Sequence, residues 1–130
     1  MKVLVVEDDQ SLAGIMRRSF VARGHETWVA GTAEGAILQM AEQWPDVLIM
    51  DVNLPDFTAW EVLRRLGPED RQALKVIVVS AAPISRKRLE EFKPAGALQK
   101  PFTISSLLHL AEGDEVIEPV GPEQGRSGSG

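Results

Sequence analysis

Val47-Leu48-Ile49-Met50-Asp51-Val52-Asn53-Leu54-Pro55-Asp56 is the stretch that decides the fold. Four apolar residues come first, and a run of this length before a polar turn predicts a buried strand. Asp51 ends the run, and Pro55 marks a turn just after it. The stretch therefore predicts a strand that delivers one carboxylate to a loop. Taken alone, the pattern also fits Asp51 and Asp56 as ordinary turn residues.

Apolar strand patterns alternate with helical patterns on both sides of this stretch. The other predicted strands are residues 2–6, 26–30, 75–79 and 97–99. The predicted helices are residues 11–23, a helix capped by Thr32, residues 59–66, residues 85–92 and a helix capped by Thr103. In the second helix the predicted apolar face is Ile37, Met40, Ala41 and Trp44. Five such units predict an α/β fold, with a parallel sheet in the order 2-1-3-4-5 and helices on both faces.

Length and composition exclude several classes of protein. The chain has 130 residues, of which 44% are hydrophobic and 25% charged, as expected of one globular domain. It has no cysteine and only two histidines, which excludes disulfides, thiolate metal sites and histidine clusters. No apolar run approaches the roughly 20 residues of a membrane helix. The first residues turn acidic too early for a signal peptide, so a cytoplasmic location is expected.

The net charge of −5 is unevenly distributed. Residues 1–111 carry 13 basic and 14 acidic side chains, a net charge of −1, whereas residues 112–130 carry five acids against one arginine, a net charge of −4. A basic stripe is missing, so direct nucleic-acid binding is not expected. The organised pattern ends at Gly113. We therefore predict one domain over residues 1–113 and a flexible tail over residues 114–130.

Polar side chains follow four of the predicted strands: Glu7 and Asp8, Asp51, Ser80 and Lys100. In a parallel sheet the carboxyl ends of neighbouring strands meet at one edge, where ligands bind. Three carboxylates held together repel each other unless a cation lies among them. Mg²⁺ prefers such oxygen ligands and bridges carboxylates to phosphoryl groups. This set of residues suits phosphoryl transfer to a carboxylate, which depends mainly on positioning and charge neutralisation.

Four stretches together give the chain its resemblance to a known family. They are Leu4-Val5-Val6-Glu7-Asp8-Asp9, Met50-Asp51-Val52-Asn53-Leu54-Pro55-Asp56, Val78-Val79-Ser80-Ala81 and Lys100-Pro101-Phe102. Over about residues 2–111 the chain resembles the receiver domain of two-component response regulators. Each stretch is a weak signal alone, whereas their order and spacing are specific. The resemblance implies a CheY-like, flavodoxin-like doubly wound fold.

The resemblance also implies a role for each residue of the set. Asp51 would accept the phosphoryl group, Asp8 would bind Mg²⁺ directly, and Glu7 would act through water. Asn53 would offer its backbone carbonyl to the metal, so that the expected ligands are Glu7, Asp8, Asp51 and Asn53. Asp9 is expected to cap a helix instead.

Ser80 would bond the phosphoryl group and Lys100 would pair with it, with a cis peptide bond between Lys100 and Pro101. The implied phosphoryl donor is a histidine kinase or phosphotransfer protein. A downstream protein would bind the face made by the fourth helix, fifth strand and fifth helix. The protein is expected to be a monomer or weak dimer, with no membrane contact and no substrate turnover.

Three features depart from the family pattern. Ala97 stands where an aromatic residue is usual, three residues before Lys100, and Ala59 stands where a glycine is usual. The segment between Ser80 and Lys100 is also short. A methyl group cannot report a change of rotamer, so we expect any phosphorylation signal to pass through Ser80 and the backbone that follows it.

Two alternatives to a phosphoacceptor domain follow from the sequence. Ala97 favours a degenerate receiver that binds proteins without being phosphorylated, while the intact acids, Ser80 and Lys100 argue against it. A Mg²⁺ phosphatase with an aspartyl nucleophile is the other alternative. Such enzymes usually need a second acid two residues after the nucleophile, where this chain has Asn53.

Overall fold

The computed structural model describes residues 1–113 and 119–120, and strands and helices alternate along them. The elements are β1 Lys2–Val6, α1 Gln10–Ala22, β2 Glu26–Ala30, α2 Ala33–Glu42, β3 Val47–Asp51, α3 Ala59–Gln72, β4 Lys75–Ser80, α4 Arg86–Phe92, β5 Gly96–Gln99, α5 Ile104–Glu112 and β6 Pro119–Val120. The strands pair in parallel in the order β2-β1-β3-β4-β5-β6. The predicted order of the first five strands is confirmed.

The sheet separates two apolar layers, because successive side chains of a strand point to opposite faces. Helices α2, α3 and α4 cover one face, and α1 and α5 cover the other. Every residue of β3 is buried, which explains why its sequence is a continuous apolar run rather than an alternating one. None of the helices in the described part of the chain has the length and apolar character needed to cross a membrane.

Each of the five helices in the described residues begins with a side chain that accepts a hydrogen bond from the backbone amide three residues later. These capping residues are Asp9, Thr32, Thr58, Ser85 and Thr103. Such caps satisfy amides that have no partner within the helix. The predicted capping roles of Asp9, Thr32 and Thr103 are confirmed. All five caps lie at the carboxyl edge of the sheet, since each helix follows a parallel strand.

The third helix is longer than predicted. Gly67 interrupts it with φ 82° and ψ 163°, and the chain then resumes a helical path as far as Gln72. Glycine adopts a positive φ without the strain that a side chain would bring, and proline is favoured where a helical segment starts. Gly67 and Pro68 therefore form a kink between two helical segments, where the sequence predicted an end.

The predicted apolar face of α2 is partly wrong. Ala41 and Trp44 are exposed, while Ala33, Ala36 and Met40 are buried. The helix carries two rows of apolar residues, and Met40 belongs to both. The row that contains the smaller residues, Ala33 and Ala36, faces the sheet. The helix thus packs on the sheet through Ala33, Ala36 and Met40.

The short strand β6 was not predicted. It pairs with β5 through Ala97↔Pro119 and Leu98↔Val120. Proline cannot donate to a ladder and is tolerated at such an outer edge. The rest of the predicted flexible tail, residues 114–118 and 121–130, lies outside the described residues.

Candidate functional site

Four strand ends bring the predicted residues to one edge of the sheet. Glu7 directly follows β1, Asp51 ends β3, Ser80 ends β4 and Lys100 directly follows β5. The register aligns these ends, because Val6 pairs with Met50, Asp51 with Val79 and Ser80 with Gln99. The topology therefore places acids, hydroxyl and lysine at a single edge.

Lys100 joins two of the acids directly. Its Nζ donates to Asp51 Oδ2 at 2.7 Å and to Glu7 Oε1 at 3.0 Å. The side chain of Glu7 is 1% exposed and that of Asp51 8%, while Lys100 is 23% exposed. Two nearly buried carboxylates thus share one ammonium, which remains accessible from solvent.

A third acid completes the cluster. Each of Glu7, Asp8 and Asp51 has a carboxylate oxygen within 4.8 Å of an oxygen of the other two. Asp8 is exposed, whereas the second oxygen of Glu7 accepts a hydrogen bond from the Asp9 amide at 3.1 Å. Three carboxylates at this spacing form an oxygen donor set that suits a hard divalent cation.

Burial and hydrogen bonding act in opposite directions on the pKa of Glu7 and on that of Lys100. Burial raises the pKa of Glu7 and the negative charge of Asp51 adds to this effect, which together outweigh the hydrogen bonds from Asp9 and Lys100. Burial alone would lower the pKa of Lys100, but its hydrogen bonds to Asp51 and Glu7 raise it. The lysine is therefore held in its charged form, as the counter-ion of the cluster.

The loop after β3 closes tightly beside Asp51. The Asn53 amide donates to Asp51 Oδ1 at 3.0 Å, so each oxygen of Asp51 has a fixed partner. The Ala59 amide bonds the Val52 carbonyl at 2.9 Å, and Asn53 forms an isolated antiparallel bridge with Thr58. This closure sets the position of the Asn53 backbone relative to the acids.

Ser80 is buried beside the cluster. Its Oγ accepts a hydrogen bond from the Ala82 amide at 3.1 Å, which leaves the hydroxyl proton free to donate elsewhere. Its carbonyl accepts from the Lys100 amide at 2.7 Å, which links the two residues through the backbone. The peptide bond between Lys100 and Pro101 is cis, as the resemblance implied.

Ala97 does not belong to the cluster. Its side chain is fully buried in the apolar layer beneath α3 and α4. His25 and His109 also lie elsewhere; His25 Nε2 contacts Glu112 at 2.7 Å, at the opposite edge of the sheet. The residues brought together are therefore those predicted: Glu7, Asp8, Asp51, Ser80 and Lys100.

Sequence reasoning missed the contact made by Asp56, which it treated as a turn residue. The Asp56 carboxylate accepts hydrogen bonds from the Ala33 and Glu34 amides, both at 2.9 Å. These partners lie 22 and 23 residues earlier, at the start of α2. A capping signal within the sequence reaches only three residues, so no local pattern could have shown this contact.

Comparison with known proteins gives a single family. The family model described as the response regulator receiver domain matches residues 3–112. The transcriptional regulatory protein KdpE of Mycobacterium tuberculosis is 34% identical over 109 residues, which cover 82% of this chain and 47% of KdpE. The response regulator MprA of Mycobacterium avium is 32% identical over 111 residues, which cover 83% and 48%. The chain thus spans about half the length of the curated relatives it matches.

Solved structures share the fold. The receiver domain of the Francisella response regulator 1452 has a TM-score of 0.71 and 27% identity, covering 84% of this chain and 92% of that one. The chemotaxis response regulator CheY4 of Vibrio cholerae has a TM-score of 0.75 and 24% identity, covering 82% and 92%. At 24% identity, the similarity to CheY4 shows a shared fold and nothing more.

Proposed function

This chain belongs to the response regulator receiver domain family, and we propose that Asp51 is its phosphoacceptor. The observation that best supports this proposal is the position of the Lys100 ammonium, which donates hydrogen bonds to both Asp51 and Glu7. A third carboxylate lies beside these two. A nucleophilic carboxylate must be ionised and held in one orientation. Lys100 and the Asn53 amide hold the two oxygens of Asp51 in one orientation.

The reaction is phosphoryl transfer from a histidine kinase or phosphotransfer protein. A carboxylate oxygen of Asp51 attacks the phosphorus of a phosphohistidine. The new P–O bond forms as the P–N bond breaks, and the electron pair stays on the imidazole nitrogen, which takes up a proton. Lys100 and the Ser80 hydroxyl are then the side chains that bond the phosphoryl oxygens, because both already lie at this edge of the sheet.

We also propose that Mg²⁺ binds at the three carboxylates of Glu7, Asp8 and Asp51, whose oxygens suit this cation. Asp8, Asp51 and the Asn53 carbonyl would bind it directly, while Glu7, already bonded to Lys100 and the Asp9 amide, would bind through water. When bound, the cation neutralises charge on the transferred group. Asp8 is exposed and so is available as a ligand without rearrangement.

The phosphorylated domain would signal by binding another protein through the face of α4, β5 and α5, on which β6 pairs with β5 in this structure. Its phosphoacceptor chemistry modifies the domain itself, so we infer that no separate substrate is turned over. A cytoplasmic location belongs to this proposal, because histidine kinases make phosphohistidine from cytoplasmic ATP. The retained acids, Ser80 and Lys100 argue against the degenerate-receiver alternative, which Ala97 favoured.

Mass spectrometry tests the proposal. The chain is incubated with Mg²⁺ and acetyl phosphate, and we expect a mass gain of one phosphoryl group. Asp51→Asn should abolish the gain. Asp46→Asn is the matched control, since it makes the same change at the residue that directly precedes the other end of β3. A chain that gains no phosphoryl group from small donors or from a phosphorylated kinase would overturn the proposal.

A further inference from the structure

The loop that carries Asn53 is tied to a second helix by one carboxylate. Asp56 Oδ1 accepts from the Ala33 amide and Oδ2 from the Glu34 amide, both at 2.9 Å. Asp56 Oδ1 also accepts from the Phe57 amide at 3.1 Å. A two-oxygen contact of this kind fixes orientation as well as distance.

The contact joins the segments that follow the two strands on either side of β1. Asp56 lies in the β3–α3 loop, whereas Ala33 and Glu34 begin α2, which follows β2. Strand β1 lies between β2 and β3 in the sheet, and Glu7 and Asp8 follow its end. The carboxylate therefore connects the two sides of the edge at which the acids lie.

The geometry points to Asp56 as a positioning residue that holds the Asn53 carbonyl in place for the divalent cation. This inference rests on the proposed function. The loop is closed at its base by the Ala59–Val52 hydrogen bond and the Asn53–Thr58 bridge, so its path is short and stiff. Anchoring Asp56 therefore fixes Asn53, three residues earlier in the same loop.

Hydrogen bonds from the start of α2 keep Asp56 ionised and bound to that helix. Backbone hydrogen bonds at the start of α2 lower the pKa of Asp56, against the opposing effect of burial. The positive end of the helix dipole favours the ionised form in the same way. With both oxygens engaged by amides, Asp56 acts on the cation only through the loop.

If Asp56 only stabilised the start of α2, any other loss of capping at that helix should have the same effect as the loss of Asp56. Thr32 supplies the matched control for this possibility. Thr32 Oγ1 caps the same helix by accepting from the Gly35 amide at 3.0 Å. Thr32→Ala weakens the start of α2 and leaves the Asp56 contact in place. Asp56→Ala weakens the same helix end and also releases the loop.

Isothermal calorimetry with Mg²⁺ distinguishes the two roles. We expect Asp56→Ala to weaken Mg²⁺ binding about tenfold, as is usual when a group that orients a metal ligand is lost. Asp56→Asn keeps one carbonyl oxygen and should weaken Mg²⁺ binding less than Asp56→Ala does. Thr32→Ala should bind Mg²⁺ as tightly as the wild type, since it spares every group that orients a ligand. Equal affinities for Asp56→Ala and wild type, or equal losses in the Asp56→Ala and Thr32→Ala variants, would overturn the inference.

Hydrogen exchange in the metal-free protein gives a second readout. The Asn53 amide is bonded to Asp51, so its protection reports whether the loop stays in place. Asp56→Ala should speed exchange of this amide, whereas Thr32→Ala should leave it unchanged; unchanged exchange in Asp56→Ala would overturn the inference. A wild-type chain that bound no Mg²⁺ would overturn the proposed function, and the Asn53 exchange would still decide whether Asp56 holds the loop.

Discussion

The Lys100 ammonium lies 2.7 Å from Asp51 Oδ2, although β4 separates β3, which ends at Asp51, from β5, which Lys100 follows. The lysine reaches across the end of β4 and also contacts Glu7, which follows β1. One flexible side chain thus connects three strand ends. Because its partners are almost fully buried, its removal leaves two carboxylates in contact without a counter-ion.

Lys100→Met should destabilise the metal-free protein by about 2 kcal/mol, less than the loss of a fully buried partner because Lys100 is 23% exposed. Added Mg²⁺ should restore most of this loss and bind more tightly, since the competing cation is gone. Urea unfolding with and without Mg²⁺ measures both effects. Lys87→Met, at an exposed position of α4, should change neither.

Ser80→Ala should slow phosphorylation of Asp51 without abolishing it. A hydrogen bond to a charged group contributes about 1.5 kcal/mol, which corresponds to a rate about tenfold lower. The Ala82 amide also loses its acceptor, so α4 and the loop before it should respond less to phosphorylation. Mass spectrometry gives the rate, and amide exchange gives the response. Ser80→Thr keeps the hydroxyl and should behave as wild type; an equal defect in both variants would contradict the role of the hydroxyl.

Ala97→Tyr should not create an aromatic switch. Ala97 is 0% exposed in a packed layer, so a ring there overpacks the core and costs about 1–3 kcal/mol. The chain has no other tyrosine, so the ring signals in an NMR spectrum report directly on this position. Ala41→Tyr, at an exposed position of α2, is the control. A stable Ala97→Tyr protein whose ring signals shift on phosphorylation would contradict this expectation.

Glu112 should make stability depend on pH in the acidic range. Hydrogen bonds from Arg23 and His25 lower its pKa from 4.5 to about 2. A lowered pKa means that the fold favours the ionised form, so the stabilisation is complete above pH 4.5 and is lost as the pH falls towards about 2.

Glu112→Gln should therefore cost about 1 kcal/mol at neutral pH, as expected of a partly exposed ion pair. The difference from wild type should vanish near pH 2. Thermal unfolding across this range measures it. Glu26→Gln removes an exposed acid nearby in β2 and should lower stability far less. A constant difference between Glu112→Gln and wild type at all pH values would show that ionisation is not the cause.

The strands and the residues at their ends could be predicted because each signal is local. A short, continuous apolar run such as residues 47–50 is typical of a strand that is buried on both faces. Because the strands are parallel, their carboxyl ends bring Asp51 and Lys100 to one edge of the sheet. The packing of α2 was less certain, because two overlapping apolar stripes satisfy the same helical period. Only contact with the sheet selects the stripe of Ala33, Ala36 and Met40.

Three other features that depend on distant partners were not predicted. Asp56 meets α2 across 22 and 23 residues, and Lys75 Nζ bonds the Ala111 and Gly113 carbonyls at the end of α5. Pro119 and Val120 pair with β5 over only two residues, too few for a strand pattern. Such contacts form only in the folded chain. The residues that make them have no local sequence pattern that would predict the contact.

The five capped helix starts lie at the same edge as the acidic cluster. Each helix start carries roughly half of a positive charge through its aligned peptide dipoles. An approaching phosphoryl donor therefore meets the carboxylates together with a ring of partial positive charge, and the long-range repulsion between two anions is reduced. The field at this edge would favour the encounter that phosphoryl transfer requires, and added salt would change the encounter rate less than the acids alone would suggest.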